Sequence, residues 1–132
     1  MNISDIAQRT GLTAKTIRFY EEKGIISPPD RAENGYRQYH QYHVDELHLI
    51  RRSRLVGFTL DESRELLAFS RDPHRRSADV KEKAEQKLVE IDEKIHELQQ
   101  MKQTLEALTV QCPGDESATC PIIEGLCCHS KS

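Results

Sequence analysis

Before residue 112 the sequence contains no cysteine, so no disulfide can staple the body of the chain. No apolar run approaches the roughly 20 residues that a helix needs to cross a bilayer. The start, Met1-Asn2-Ile3-Ser4-Asp5, also lacks the basic stretch and apolar run of an export signal. A cytoplasmic location with no membrane contact is the expectation, and there the four cysteines are read as free thiols or metal ligands. A general excess of positive charge is missing too, since the net charge is −3, which argues against uniform affinity for nucleic acid.

The charge is unevenly divided. Residues 1–76 hold 13 Lys and Arg against 11 Asp and Glu, whereas residues 77–132 hold 6 against 11, so any nucleic-acid surface belongs in the first part. With 36% hydrophobic and 31% charged residues in 132, the composition fits a mainly α-helical chain with one small domain and one long element.

Ser4 is suited to cap a short helix ending at Thr10, with Gly11 as its stop; Thr13 is suited to cap a second, stopped by Gly24. Two short helices around a glycine-containing turn read as helix-turn-helix. Pro28-Pro29 forbids helix, and Asn34-Gly35 favours a tight hairpin because both residues tolerate positive φ, giving a small wing with Arg31, Tyr36, Arg37 and Tyr39. Lys15, Arg18 and Tyr20 on the second helix are candidates for the DNA major groove, with the wing residues on phosphates. Packing of the wing is the other reading of its tyrosines.

Apolar spacing predicts a third helix over residues 43–56, and Thr59 with Glu62 forms a capping box opening a fourth, closed by Pro73. From Ser77, read as an N-cap, to Gln111 there is neither Pro nor Gly, enough for a helix of about 50 Å. Ala84, Leu88, Ile91, Ile95, Leu98 and Leu105 follow alternating steps of four and three, interrupted by Lys102 and widened by Met101 and Leu108. Such a seam must be covered, and the remainder of the chain is too small to cover it, so a homodimer is expected. The organisation is therefore a winged helix-turn-helix domain over residues 1–75, a dimerisation helix over 76–111, and a metal-binding loop with a tail over 112–132.

Pro113 stops the long helix just after Cys112, and seven residues later Cys120-Pro121 opens a short apolar turn. The interval permits a reversal that brings both sulfurs to one ion, while the short Cys-x-x-Cys spacing of many zinc modules is absent. Two thiolates suit monovalent copper, because a divalent ion would lack the tetrahedral ligand set that zinc prefers. Cys127-Cys128-His129 is a second soft cluster, readable as a ligand set or as a mobile tail. A thiol-dependent enzyme is disfavoured, since His129 is the one histidine close in sequence to serve as a base. A cytosolic thiol copper carrier is the alternative function, but it leaves the first 111 residues unexplained.

The runs Ile3-Ser4-Asp5-Ile6-Ala7, Thr16-Ile17-Arg18-Phe19-Tyr20-Glu21-Glu22-Lys23-Gly24 and Asn34-Gly35-Tyr36-Arg37-Gln38-Tyr39 resemble the MerR family of regulators. Cys112-Pro113-Gly114-Asp115 through Cys120-Pro121-Ile122-Ile123 is similar to its copper-responsive branch, which senses Cu(I) and also answers to Ag(I) and Au(I). The resemblance implies a non-enzymatic transcription regulator, a homodimer on promoter double-stranded DNA. There, metal binding distorts an over-long spacer so that RNA polymerase can use it, activating copper-efflux or detoxification genes. It implies Cys112 and Cys120 as ligands and Ser77, where relatives sensing divalent ions carry Cys, as a selectivity position. Thr13, Lys15, Thr16, Arg18, Tyr20, Arg31, Tyr36, Arg37 and Tyr39 are the expected DNA-binding residues.

Overall fold

The computed structural model describes residues 1–116 and 118–127. In chain order it comprises α1 (Ile3–Thr10), α2 (Ala14–Glu22), β1 (Asp30–Arg31), β2 (Arg37–Gln38), α3 (Gln41–Leu55), α4 (Leu60–Arg71), α5 (Ser77–Gln111) and α6 (Pro121–Leu126). The architecture is the mainly α, winged helix-turn-helix and long-helix arrangement that the sequence predicts. The chain divides into two compact units, Met1–Lys87 and a second that begins at Leu88, so the first turns of α5 pack with the helix-turn-helix unit.

Local chemistry sets most helix ends. Asn2, not the expected Ser4, caps α1: its side chain accepts from the Asp5 N–H at 2.9 Å while the Asp5 carboxylate accepts from the Asn2 N–H at 3.2 Å. Gly11 ends α1 at φ 74, a left-handed conformation that glycine adopts without steric cost. Thr13 caps α2 and Thr59 with Glu62 boxes α4, both as the sequence indicates. His40 opens α3, two residues earlier than expected, because the buried His43 ring accepts from the His40 N–H at 2.9 Å. Ser77 is the first helical residue of α5 and not a flanking cap.

The hairpin also differs in detail. Gly35 has φ 83 but Asn34 does not enter positive φ, and the Ala32 carbonyl accepts from the Gly35 N–H at 2.8 Å while the Ala32 N–H donates to Tyr36 at 2.9 Å. The connection is thus the three residues Glu33-Asn34-Gly35, a turn followed by a left-handed glycine, in place of a two-residue turn. It pairs Arg31 with Arg37 and Asp30 with Gln38, antiparallel.

The core of the first unit joins Ile6 of α1, Ile17 of α2, Ile25 and Ile26 beyond it, Tyr39 after the wing, Val44, Leu47 and Ile50 of α3, and Leu67 of α4. Each aliphatic side chain so buried contributes about 1.5–3 kcal/mol. Most polar groups inside find partners, His48 Nδ1 being an exception: Thr10 donates to the Ile6 carbonyl at 2.7 Å, and the Ser53 and Ser63 hydroxyls meet at 2.6 Å between α3 and α4. Glu46 accepts from the Ser27 N–H and hydroxyl and from Arg71, tying the α2–β1 segment and α4 to α3. Lys87 of α5 donates to Glu62 of α4 at 2.8 Å while lying 5.4 Å from the Phe58 ring centre.

In the second unit the seam traced by heptad spacing lies on the surface of the single chain: Leu88, Ile95, Leu98, Met101 and Leu105 are 47% to 63% exposed. An apolar stripe of this kind on a helix is a surface for association. No helix among the described residues is long and apolar enough to cross a membrane.

Candidate nucleic-acid interface and thiol site

The Thr13 hydroxyl does two things at the start of α2. It accepts from the Thr16 N–H at 3.1 Å and donates to the Thr16 hydroxyl at 2.9 Å, fixing the first turn of the helix that carries the candidate groove-facing residues. No acidic residue stands in that first turn, so Lys15 and the exposed helix N–H groups leave it electropositive. Lys15 and Arg18 are exposed, whereas Thr16 and Tyr20 are half-buried, with Tyr20 packed against the core.

Arg18 meets the wing. Arg18, Arg31, Tyr36 and Arg37 line one surface cavity of about 570 Å³ together with Asn2, Ile3 and Ser4 at the start of α1. Three guanidinium groups from three elements, α2, β1 and β2, thus converge beside a helix N-terminus, a composition suited to an anionic backbone. Arg31 also donates to the Gly35 carbonyl at 3.0 Å, which stiffens the tip on which Tyr36 stands 73% exposed.

Glu21 organises this surface. Arg37 Nε donates to both Glu21 oxygens at 3.1 and 3.0 Å, and the Tyr39 hydroxyl donates to Oε2 at 3.1 Å. The pairing raises the Arg37 pKa, and burial, aided by the Glu21 charge, pushes the Tyr39 phenol up to about 12. Tyr39 is only 1% exposed, which corrects its expected place among the DNA-contacting residues: it is a core residue that fastens the wing to α2. Arg37 shares both roles, half-buried on Glu21 and at the cavity wall. Glu21 was not foreseen, because a Glu-Glu-Lys run reads as a solvated helix face.

The thiol pair is built at the junction of α5 and α6. Cys112 still donates its N–H to the Thr109 carbonyl at 3.1 Å, Pro113 ends the helix, and Gly114 at φ 66 starts the reversal. Cys120 occupies the N-cap position of α6 with Pro121 at its first turn, and its carbonyl accepts from the Glu124 N–H at 3.0 Å. The two sulfurs stand 3.9 Å apart and both residues are half-buried. The Ile123 N–H, and after it the Cys112 thiol, face the Cys120 sulfur and hold its pKa below the ordinary thiol value, although no cap hydrogen bond is made.

That separation fits one ion between the sulfurs. Metal–sulfur bonds of about 2.3 Å place two sulfurs between about 3.8 Å apart at a tetrahedral angle and about 4.6 Å when opposed. The distance alone does not choose the geometry; the donor set bears on it. Among the described residues, no third His, Cys, Asp or Glu joins the pair in a cluster. Ser77 is exposed at the start of α5, in the first unit. Cys127 ends α6, while Cys128 and His129 of the second soft cluster lie outside the described residues.

Two family models match the chain. The profile for MerR HTH family regulatory proteins matches residues 1–70, and one described as MerR, DNA binding, matches residues 44–108. The HTH-type transcriptional regulator CueR of Escherichia coli O6:H1 is 58% identical, with all of this chain and 99% of that protein covered. Among solved structures, PbrR691 from Ralstonia metallidurans CH34 in complex with lead(II) has a TM-score of 0.84 at 30% identity, covering 96% of this chain and 99% of that one. MerR from Bacillus megaterium MB1 in complex with mercury(II) has a TM-score of 0.71 at 36% identity, covering 91% and 94%.

Proposed function

Since the chain belongs to the MerR family of helix-turn-helix regulators and is a CueR-like, metal-responsive transcription regulator, we propose that its effector is Cu(I), or Ag(I) or Au(I), held by Cys112 and Cys120. The observation that carries the proposal is the 3.9 Å approach of two thiols with no third donor clustered beside them among the described residues. Two soft sulfurs satisfy a monovalent ion at low coordination number, whereas lead(II) or zinc(II) calls for more ligands. A serine at position 77 adds no further sulfur, in keeping with that choice.

The protein acts as a homodimer on promoter DNA. The exposed stripe from Leu88 to Leu105 is the dimer surface, and the two-fold pairing sets two helix-turn-helix units on successive half-sites. Lys15 and Arg18 face the major groove, Arg31, Tyr36 and Arg37 hold phosphates, and Thr13 fixes the helix that presents them. A bound ion supplies a link between the end of α5 and the start of α6. Cys112 and Cys120, as the first residues beyond and before those helices, convert that link into a change in how the helices meet. The DNA response is distortion of an over-long promoter spacer, which RNA polymerase then reads. Its relatives are regulators rather than enzymes, and the copper-carrier alternative leaves the matched DNA-binding region without a purpose.

The test is in-vitro transcription from a promoter with an over-long spacer, titrated with Cu(I), Ag(I), Zn(II) and Hg(II) under anaerobic, thiol-buffered conditions. Activation by the monovalent ions is expected. Activation by zinc alone would overturn the proposal.

A further inference from the structure

α6 contains a glycine whose conformation does not require one. Gly125 lies within the helix, outside the positive-φ residues, where alanine is intrinsically the more favourable choice. Its reason is packing. A Cβ at residue 125 would collide with Leu108 Cδ2 of α5, with Cδ1 at 3.2 Å and Cγ at 3.3 Å. Turning Leu108 about its Cβ–Cγ bond can carry Cδ2 aside but leaves Cγ at 3.3 Å, so a side chain at 125 must either change the Leu108 rotamer or press α6 outward. Beside this contact Leu126 lines a cavity of about 650 Å³ with Met101 and Leu105, so α6 lies along α5 over more than one turn.

The contact is coupled to the thiols by short, rigid connections. Leu108 stands one helical turn before Cys112, and Cys120 is joined to α6 through its carbonyl, which accepts from the Glu124 N–H at 3.0 Å. The spacing of the two helices therefore sets the spacing of the two sulfurs. We propose that Gly125 is a positioning residue for the Cys112–Cys120 pair: its missing side chain seats α6 on Leu108 and brings the sulfurs to ion-bridging distance. The inference rests on the reading of these cysteines as ligands, and it concerns geometry that can be measured without metal.

The experiment uses the full chain with Cys127→Ser and Cys128→Ser, leaving two thiols, and compares Gly125→Ala, Leu108→Ala and the double variant. The equilibrium constant for closing the Cys112–Cys120 disulfide in a glutathione buffer reads thiol proximity, and competition with a chelator reads the Cu(I) dissociation constant. Gly125→Ala should weaken both by about tenfold, and adding Leu108→Ala should restore both to within about threefold of Leu108→Ala alone. Metal-free operator affinity, which depends on the other unit, should be unchanged in all variants. An unchanged disulfide equilibrium in Gly125→Ala, or failure of Leu108→Ala to restore it, would overturn the proposal. A parent protein that binds no Cu(I), yet shows the Gly125 dependence in its disulfide equilibrium, would refute the ligand reading and uphold the positioning role.

Discussion

Raising the pH should release the wing from α2 at a defined point, and Tyr39 sets it. The phenol, 1% exposed and donating to Glu21, has a pKa raised from 10 to about 12, first by burial and then by the Glu21 charge. Because the folded value lies above the unfolded one, this group's contribution is fully present below about pH 10 and is lost as pH rises through about 12. Two units correspond to about 2 to 3 kcal/mol. The assay is denaturant unfolding of the wild type and Tyr39→Phe between pH 8 and pH 12, with tyrosinate absorbance followed in parallel. At neutral pH the variant should be about 1 kcal/mol less stable, the worth of one hydrogen bond whose acceptor keeps Arg37 as a partner. As pH climbs, the wild type should lose its advantage and fall below the variant, which has no phenol to ionise at that position. Parallel stability curves through this range, or complete tyrosine ionisation well below pH 12 in the folded protein, would refute the assignment of Tyr39 to the Glu21 cluster.

Other expectations follow from the remaining sites. Arg31→Ala should weaken operator binding and reduce the slope of log affinity against log salt by about one, as for loss of one phosphate contact, whereas Arg18→Ala, at a groove-facing residue, should weaken operator binding and relax its base preference; an unchanged slope for Arg31, or an unchanged preference for Arg18, would remove that residue from its place in the interface. Cys112→Ser or Cys120→Ser should abolish metal-dependent transcription while metal-free operator affinity stays within about threefold, since the proposed ligands and the proposed DNA-facing residues belong to different units; joint loss of both would contradict that separation. Glu62→Gln should cost about 0.5–1 kcal/mol at neutral pH, the partly exposed carboxylate being screened by solvent. The Lys87 hydrogen bond holds the Glu62 pKa below its ordinary value, so that cost should vanish as pH falls through the folded value, and thermal unfolding at pH 7 and in acid distinguishes the cases.

Features governed by neighbours in sequence were legible. Thr13, Thr59 with Glu62, Gly11, Gly24 and Pro113 each act on a backbone group within a few residues, so residue type and position define the turn or cap. Errors arose where two local solutions compete. Asn2 and Ser4 are both good caps, and the reciprocal bonds between Asn2 and Asp5 favour Asn2. Asn34-Gly35 permits a two-residue turn, but the pairing of Ala32 with Tyr36 selects a three-residue loop. The candidate thiols were legible for the same local reason: Pro113 and Pro121 bracket a loop whose length allows return.

Contacts across the fold were not legible. Alternation in an extended segment puts Arg37 and Tyr39 on one side, so the sequence offers both to DNA or both to the interior. The structure turns that side toward Glu21, burying the tyrosine and leaving the arginine partly available. Glu21, an acid beside the proposed DNA-facing surface, should oppose DNA affinity by charge, yet it holds Arg37 in place. Its removal should therefore separate the two effects: Glu21→Gln adds one positive charge to the net and loosens the wing. If orientation outweighs charge, operator affinity should fall by about fivefold even though the surface becomes more positive, with the salt slope little changed. A rise in affinity on that substitution would mean that Glu21 contributes only repulsion, and the wing would have to be held by its core residues alone.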